Sequence, residues 1–154
     1  MMRRRPTAEL LCTWTSCTPG AAARVRTALR HALDRRRIPG EVISDTVLAV
    51  SELAANASEH AEGPYELWLR PTAAELICEV HDRDPRMPDL PDFPAVTPFV
   101  PDPEHCGGGL EALCALMSER GRGLQIVDHL TGGHWGYRLT RNGKKKIAWV
   151  TVGM

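Results

Sequence analysis

Residues 51–61 read SELAANASEHA, and the way this stretch divides into an apolar stripe and a polar one decides how the rest of the chain is read. Extended upstream, Ile43, Val47, Val50, Leu53, Ala54 and Ala57 recur at the spacing of one helix face. At about 100° per residue they cover an arc of about 100° to 220° measured from Glu52. On the same wheel Asn56 falls at about 40° and His60 at about 80°. The spacing predicts a helix over 41–60, stopped by Gly63-Pro64. Glu52, Asn56 and part of His60 then form a polar patch beside the core stripe. Side chains four apart are neighbours on a helix surface. A carboxylate and an amide oxygen one turn apart suit two chemistries: binding a hard cation directly or through water, or positioning a nucleophile that must lose a proton. Taken alone, the pair also fits a plain solvated face.

Working outward, residues 9–15 (ELLCTWT) are expected to be a strand. Thr18-Pro19 supplies an N-cap and a first helical position. Ala22, Val25, Leu29 and Leu33 form the buried stripe of a first helix, with Arg24, Arg26, Arg30 and Arg35 pointing elsewhere, and Pro39-Gly40 ends it. Downstream, 65–70 and 75–82 read as a hairpin of two strands. Pro85, Pro88, Pro91, Pro94, Pro98, Pro101 and Pro103 then follow too densely for a helix or a central strand. A long loop of this kind inside a compact domain commonly acts as a lid. A short apolar helix is expected at 110–118, a second helix at 125–130, and two strands at 134–140 and 147–152 joined by Asn142-Gly143. This order predicts an α+β fold: a two-layer sandwich with a mixed or antiparallel sheet covered on one face by helices. Trp14, Trp68, Trp135 and Trp149 fall in strands, where core or rim positions suit them.

Two further segments carry chemistry. Gly121, Arg122, Gly123 and Leu124 lie immediately before a helix, where glycines let the backbone approach a ligand and N–H groups favour phosphate. Asp82 closes the apolar strand ICEVHD, and an ionised carboxylate there accepts a hydrogen bond from an exocyclic amine such as that of adenine. A turn explains each of them equally well in isolation.

Composition narrows the classes. At 154 residues and 43% hydrophobic, the chain supports one packed domain. Lys plus Arg and Asp plus Glu are 19 each, so no overall charge draws it to nucleic acid or to an anionic membrane. The basic runs Arg3-Arg4-Arg5 and Lys144-Lys145-Lys146 read as solvated edges. No apolar run approaches the roughly 20 residues of a membrane span, and the start suits no secretory signal, so a cytoplasmic location is expected. Cys12, Cys17, Cys78, Cys106 and Cys114 contain no C-x-x-C pair and suit neither a disulfide framework nor a zinc site. His105-Cys106 is the one adjacent ligand-type pair. No G-x-x-x-x-G-K-S/T occurs. Gly107-Gly108-Gly109-Leu110-Glu111-Ala112 matches G-x-G-x-x-A, but a proline- and acid-rich stretch precedes it where a dinucleotide fold needs a strand.

Taken in order, SELAANASEHA, VHDRDP and ERGRGLQIVDHL resemble the GHKL (Bergerat-type) ATPase superfamily, most closely its bacterial anti-sigma-factor and serine-protein-kinase branch. The resemblance runs over most of the chain. It implies a flexible start at 1–8, a single ATP-binding domain at 9–154 and an ATP lid at about 85–120. It implies Glu52 as the catalytic or water-positioning base and Asn56 as the Mg²⁺ ligand. Asp82 corresponds to the adenine-reading aspartate, and Gly121, Arg122, Gly123 and Leu124 to the glycine box that closes on the phosphates, with His60 lining the nucleotide site. The implied activity is Mg²⁺-ATP-dependent phosphorylation of a serine or threonine on an antagonist protein, with a sigma factor as sequestered client and a homodimer as the assembly. Where the family carries D-x-G-x-G, this chain has Asp82-Arg83-Asp84-Pro85-Arg86. The alternative is a non-catalytic module that uses ATP, or no nucleotide, to shape a partner-binding surface.

Overall fold

A computed structural model describes residues 7–86 and 123–153. In chain order the elements are β1 (Glu9–Trp14), α1 (Ala21–Arg35), α2 (Gly40–His60), β2 (Tyr65–Pro71), β3 (Leu76–Asp82), α3 (Gly123–Thr131), β4 (Trp135–Leu139) and β5 (Lys146–Val152). The strands form one sheet in the order β1-β2-β3-β5-β4, with every neighbouring pair antiparallel. The expected α+β sandwich is thus present, and its sheet is purely antiparallel among the described residues. The helix expected at 110–118, the glycines at 107–109 and most of the stretch assigned to a lid lie outside them.

Period-2 alternation places Tyr65, Leu67 and Leu69 of β2, Cys78 and Val80 of β3, and Ala148, Val150 and Val152 of β5 in the core. They meet the predicted helix stripes. Val25, Leu29 and Leu33 of α1 are buried, as are Ile43, Val47, Val50, Leu53, Ala54 and Ala57 of α2, whereas Ala22, expected in the α1 stripe, is exposed in the first turn. Trp14 seals one end, with its ring 5.6 Å from Tyr65 and its indole N–H donated to Ser58 Oγ at 3.2 Å. The β4–β5 connection turns at Gly143, whose φ of 68° suits glycine. Asn142 steadies the turn by accepting the Lys144 N–H at 3.0 Å.

The start of α1 differs from expectation. Thr18 does not cap it: its hydroxyl accepts the Thr15 N–H at 2.9 Å, and its own N–H reaches the Thr15 carbonyl at 3.1 Å. The chain thereby completes a turn after β1, and the helix begins at Ala21, behind Gly20 at φ 64°. Thr18 is spent on the turn because the chain reverses there before the helix can start.

On the sheet face that carries Trp68 and Arg70, Glu79 is only 3% exposed. Arg70 Nε and Arg138 donate to its Oε2 at 3.0 and 2.7 Å, and His81 Nε2 stands 3.1 Å from its Oε1. Burial by itself pushes the Glu79 carboxyl up, but bonds from His81, Arg138 and Arg70 outweigh it and hold it down at about 2, against an ordinary 4.5. A carboxyl depressed on folding stabilises the protein above its unfolded value and ceases to do so as the pH falls through its folded one. We therefore expect stability to decline between pH 4.5 and about 2 in part through this group. Both arginines are partly solvated, so Glu79→Gln is expected to cost only about 1–2 kcal/mol at neutral pH. Urea melts at neutral and acid pH check it: the variant's deficit shrinks toward the acid end.

Candidate functional site

The polar side of α2 is built against α3. Glu52, which the helix wheel set on a polar patch, is only 8% exposed, because α3 packs across that patch. The contact point is Gly123, the first residue of α3. A Cβ placed there would lie 2.6 Å from Glu52 Oε2 and 3.8 Å from Asn56 Oδ1. A side chain there would have to displace the Glu52 carboxylate, so in the native chain the backbone at the start of α3 comes directly against the carboxylate and the amide. Backbone N–H groups at a helix start favour anions. The arrangement thus sets an acceptor carboxylate, an amide oxygen and a phosphate-favouring helix terminus side by side.

Tyr137 of β4 joins this cluster to the end of β3. Its phenol lies within hydrogen-bonding reach of the Asn56 amide and is pushed up to about 12, first by burial and then by the charge of Asp82. Asp82 is 3% exposed. Its Oδ1 accepts the Asp84 N–H at 2.8 Å, and its Oδ2 lies 3.4 Å from Lys146 Nζ. Burial pushes the Asp82 carboxyl up, while the Asp84 amide and the Lys146 ammonium pull the other way. Lys146 donates to the Arg86 carbonyl at 3.0 Å and lies 6.0 Å from the Tyr137 ring centre. At the exit of β3, the Arg86 guanidinium holds the Asp84 carboxyl well below the usual range through bonds of 2.7 to 3.2 Å.

Of the residues singled out in the sequence, Glu52, Asn56 and Gly123 meet directly, and Asp82 is linked to them by the effect of its charge on Tyr137. Leu124 is partly buried and packs against the core. His60 stands 74% exposed at the end of α2, 3.7 Å from Glu59. Gly121 and Arg122 lie outside the described residues.

Two members of the cluster were not legible beforehand. Lys146 was expected in a solvated turn, yet it is the first residue of β5 and 7% exposed. Its period-2 relation to Ala148, Val150 and Val152 was the available signal, since counting back from that apolar face turns Lys146 inward. Tyr137 carried no signal beyond its place in a strand.

The sequence profile of the histidine kinase-like ATPase domain matches residues 15–149. The chain belongs to this family. Among solved structures, this histidine kinase-like ATPase domain is similar to a chain in the crystal structure of the SiaB–SiaC complex from Pseudomonas aeruginosa. The TM-score is 0.52 at 13% identity, over 93% of this chain and 89% of that one, a likeness of fold. No curated protein matches it significantly. The ATPase-domain assignment makes it an ATP-binding fold. Among the described residues no helix is long and apolar enough to cross a membrane.

The Mg²⁺ associated with ATP can be tested against the residues present. No group of three or more His, Cys, Asp or Glu side chains able to hold a metal occurs among the described residues. An amide oxygen beside a carboxylate and the helix start at Gly123 does fit a magnesium ion that takes most of its ligands from phosphates and water.

The close approach at Gly123 carries its own prediction. In Gly123→Ala the new methyl group displaces the flexible Glu52 carboxylate rather than the backbone, so the fold survives while the carboxylate moves by about an ångström. If Glu52 positions a reacting group, misplacement of that size costs about 10²-fold in turnover. Circular dichroism and a turnover assay on the same sample check it, and a variant with unchanged turnover contradicts it.

Proposed function

We propose that this domain binds Mg²⁺-ATP and transfers its terminal phosphoryl group to a serine or threonine hydroxyl of a regulatory protein partner. The observation that carries the proposal is the meeting of Glu52, Asn56 and the start of α3 at a glycine where a Cβ would collide with the Glu52 carboxylate. In this reading Asn56 provides the amide oxygen that holds the metal, and Tyr137 steadies that amide. Glu52 orients the attacking hydroxyl and accepts its proton. The N–H groups opening α3 face the phosphates, and the resemblance assigns Gly121, Arg122, Gly123 and Leu124 to that segment. Asp82 accepts from the adenine amine, and His60, exposed at the end of α2, contributes from outside the Glu52–Asn56–Gly123 cluster. Asn56 Oδ1 would hold Mg²⁺, and the ion would supply positive charge against the negative charge that develops on transfer.

The partner is proposed from the resemblance to the anti-sigma-factor branch: an antagonist protein that carries the phosphorylated hydroxyl, a sigma factor as client, or both. Support comes from a fold neighbour whose structure is a complex of two named proteins. No direct contact with nucleic acid or membrane is part of the proposal. A cytoplasmic homodimer is the assembly it favours.

One observation favours a second reading, a non-catalytic module. The residues after Asp82 carry an Asp84–Arg86 ion pair and a proline rather than glycines, which leaves the backbone less room to lie against a base. Calorimetric titration with Mg²⁺-ATP and Mg²⁺-ADP tests nucleotide binding, and transfer of labelled phosphate from ATP to a candidate partner tests the kinase step. Binding together with transfer is the expected result. Binding without transfer to any partner leaves the module, and no binding of either nucleotide overturns both nucleotide readings.

A further inference from the structure

We propose that Lys146 sets the nucleotide affinity of this domain, acting as an internal cation that competes with the nucleobase for Asp82. The inference rests on the reading of Asp82 as the base-recognising acceptor and adds a specificity-determining residue to that site.

The pair is built into the sheet. Asp82 and Lys146 are directly opposed where β3 meets β5, so the two side chains emerge side by side on the helix-covered face. Both are almost fully enclosed, at 3% and 7% exposure. Oδ1 of Asp82 is taken by the Asp84 N–H at 2.8 Å, and Oδ2 faces the ammonium at 3.4 Å. The ammonium is anchored in turn by the Arg86 carbonyl at 3.0 Å and stands beside the Tyr137 ring. Both oxygens of the carboxylate are therefore engaged from within the chain.

An exocyclic amine is a neutral donor, whereas Lys146 is a charged one, and hydrogen bonds assisted by charge are roughly twice as strong. For a base to take Oδ2, the ammonium has to share it or withdraw, and a buried ammonium deprived of its counter-ion is costly. Base recognition therefore works against the pair. The direction of the effect separates this from general electrostatics. Removing a positive charge from a phosphate-binding protein ordinarily weakens its hold on an anion. Here, removing the Lys146 charge strengthens it, because the gain comes from the base end.

Titration of the purified full chain tests this with Lys146→Met, which keeps the apolar stem, and Lys146→Gln, which keeps a donor for the Arg86 carbonyl. Both are expected to bind Mg²⁺-ATP and Mg²⁺-ADP about tenfold more tightly than the wild type. Lys146→Arg is expected to stay at wild-type affinity. Inorganic tripolyphosphate, which has no base, is expected to bind the Met and Gln variants no better than it binds the wild type. The gain is expected to vanish in an Asp82→Asn background. A variant too unstable to titrate is read through its melt: Mg²⁺-ATP raises its Tm by more than the wild type's if Asp82 has been freed. A wild type that binds ATP, with Met and Gln variants that bind it equally or more weakly, overturns the role of Lys146 and leaves the nucleotide site standing. Folded wild type and variants that all fail to bind ATP overturn the nucleotide site itself.

Discussion

Asn56→Ala is expected to abolish Mg²⁺-dependent ATP binding while leaving the fold intact. Asn56 sits on α2 at the margin of the core stripe and is only partly buried, so its loss removes little packing. Its amide oxygen, however, lies beside the closed approach at Gly123, 3.8 Å from where a Cβ would stand. If that oxygen holds the metal, alanine deletes the only amide ligand the site has been assigned, and the triphosphate loses its bridge to α2. Loss of several kcal/mol corresponds to a fall in affinity on the order of 10³-fold. Calorimetry with and without Mg²⁺ separates the metal-dependent part from any residual affinity for the base. Affinity unchanged in the presence of Mg²⁺ would remove Asn56 from the site.

Glu52→Gln is expected to do the opposite to the two steps: nucleotide binding within about threefold of wild type, and phosphoryl transfer reduced by about 10³-fold. Glutamine keeps the length and the hydrogen-bonding oxygen of Glu52 and removes its capacity to accept a proton. Because Glu52 is 8% exposed beneath α3, the near-isosteric change keeps the α2–α3 packing, which alanine would not. Transfer retained at the wild-type rate, with the protein shown to be folded by its melt, would mean that another group receives the proton. Transfer lost together with ATP affinity would place Glu52 among the binding groups instead.

Much of the architecture could be read in advance because it depends on short-range patterns. The 3.6-residue stripe of α2 names the same side chains that the structure buries, and the hairpin read at 65–70 and 75–82 is present as β2 and β3. Local signals went astray where one residue had two uses. Thr18 has the chemistry of an N-cap and serves a turn. Lys146 continues a run of three lysines that reads as a solvated turn, yet the strand pairing with β3 turns it inward to Asp82. Glu79 likewise has the composition of a surface residue. It is buried because Arg70, His81 and Arg138, one of them 59 residues away in the chain, converge on it.

The sequence by itself determined the class of fold, the helix that carries Glu52 and Asn56, and the strand that ends in Asp82, since each follows from periodicity within a few turns or a few strand residues. Tertiary structure alone decided what those residues touch. Gly123 closes on Glu52 because α3 docks on α2, and Lys146 meets Asp82 because β5 lies beside β3. Such contacts join residues dozens of positions apart, and the free energy of a buried charge depends on the partner brought to it rather than on its neighbours in the chain.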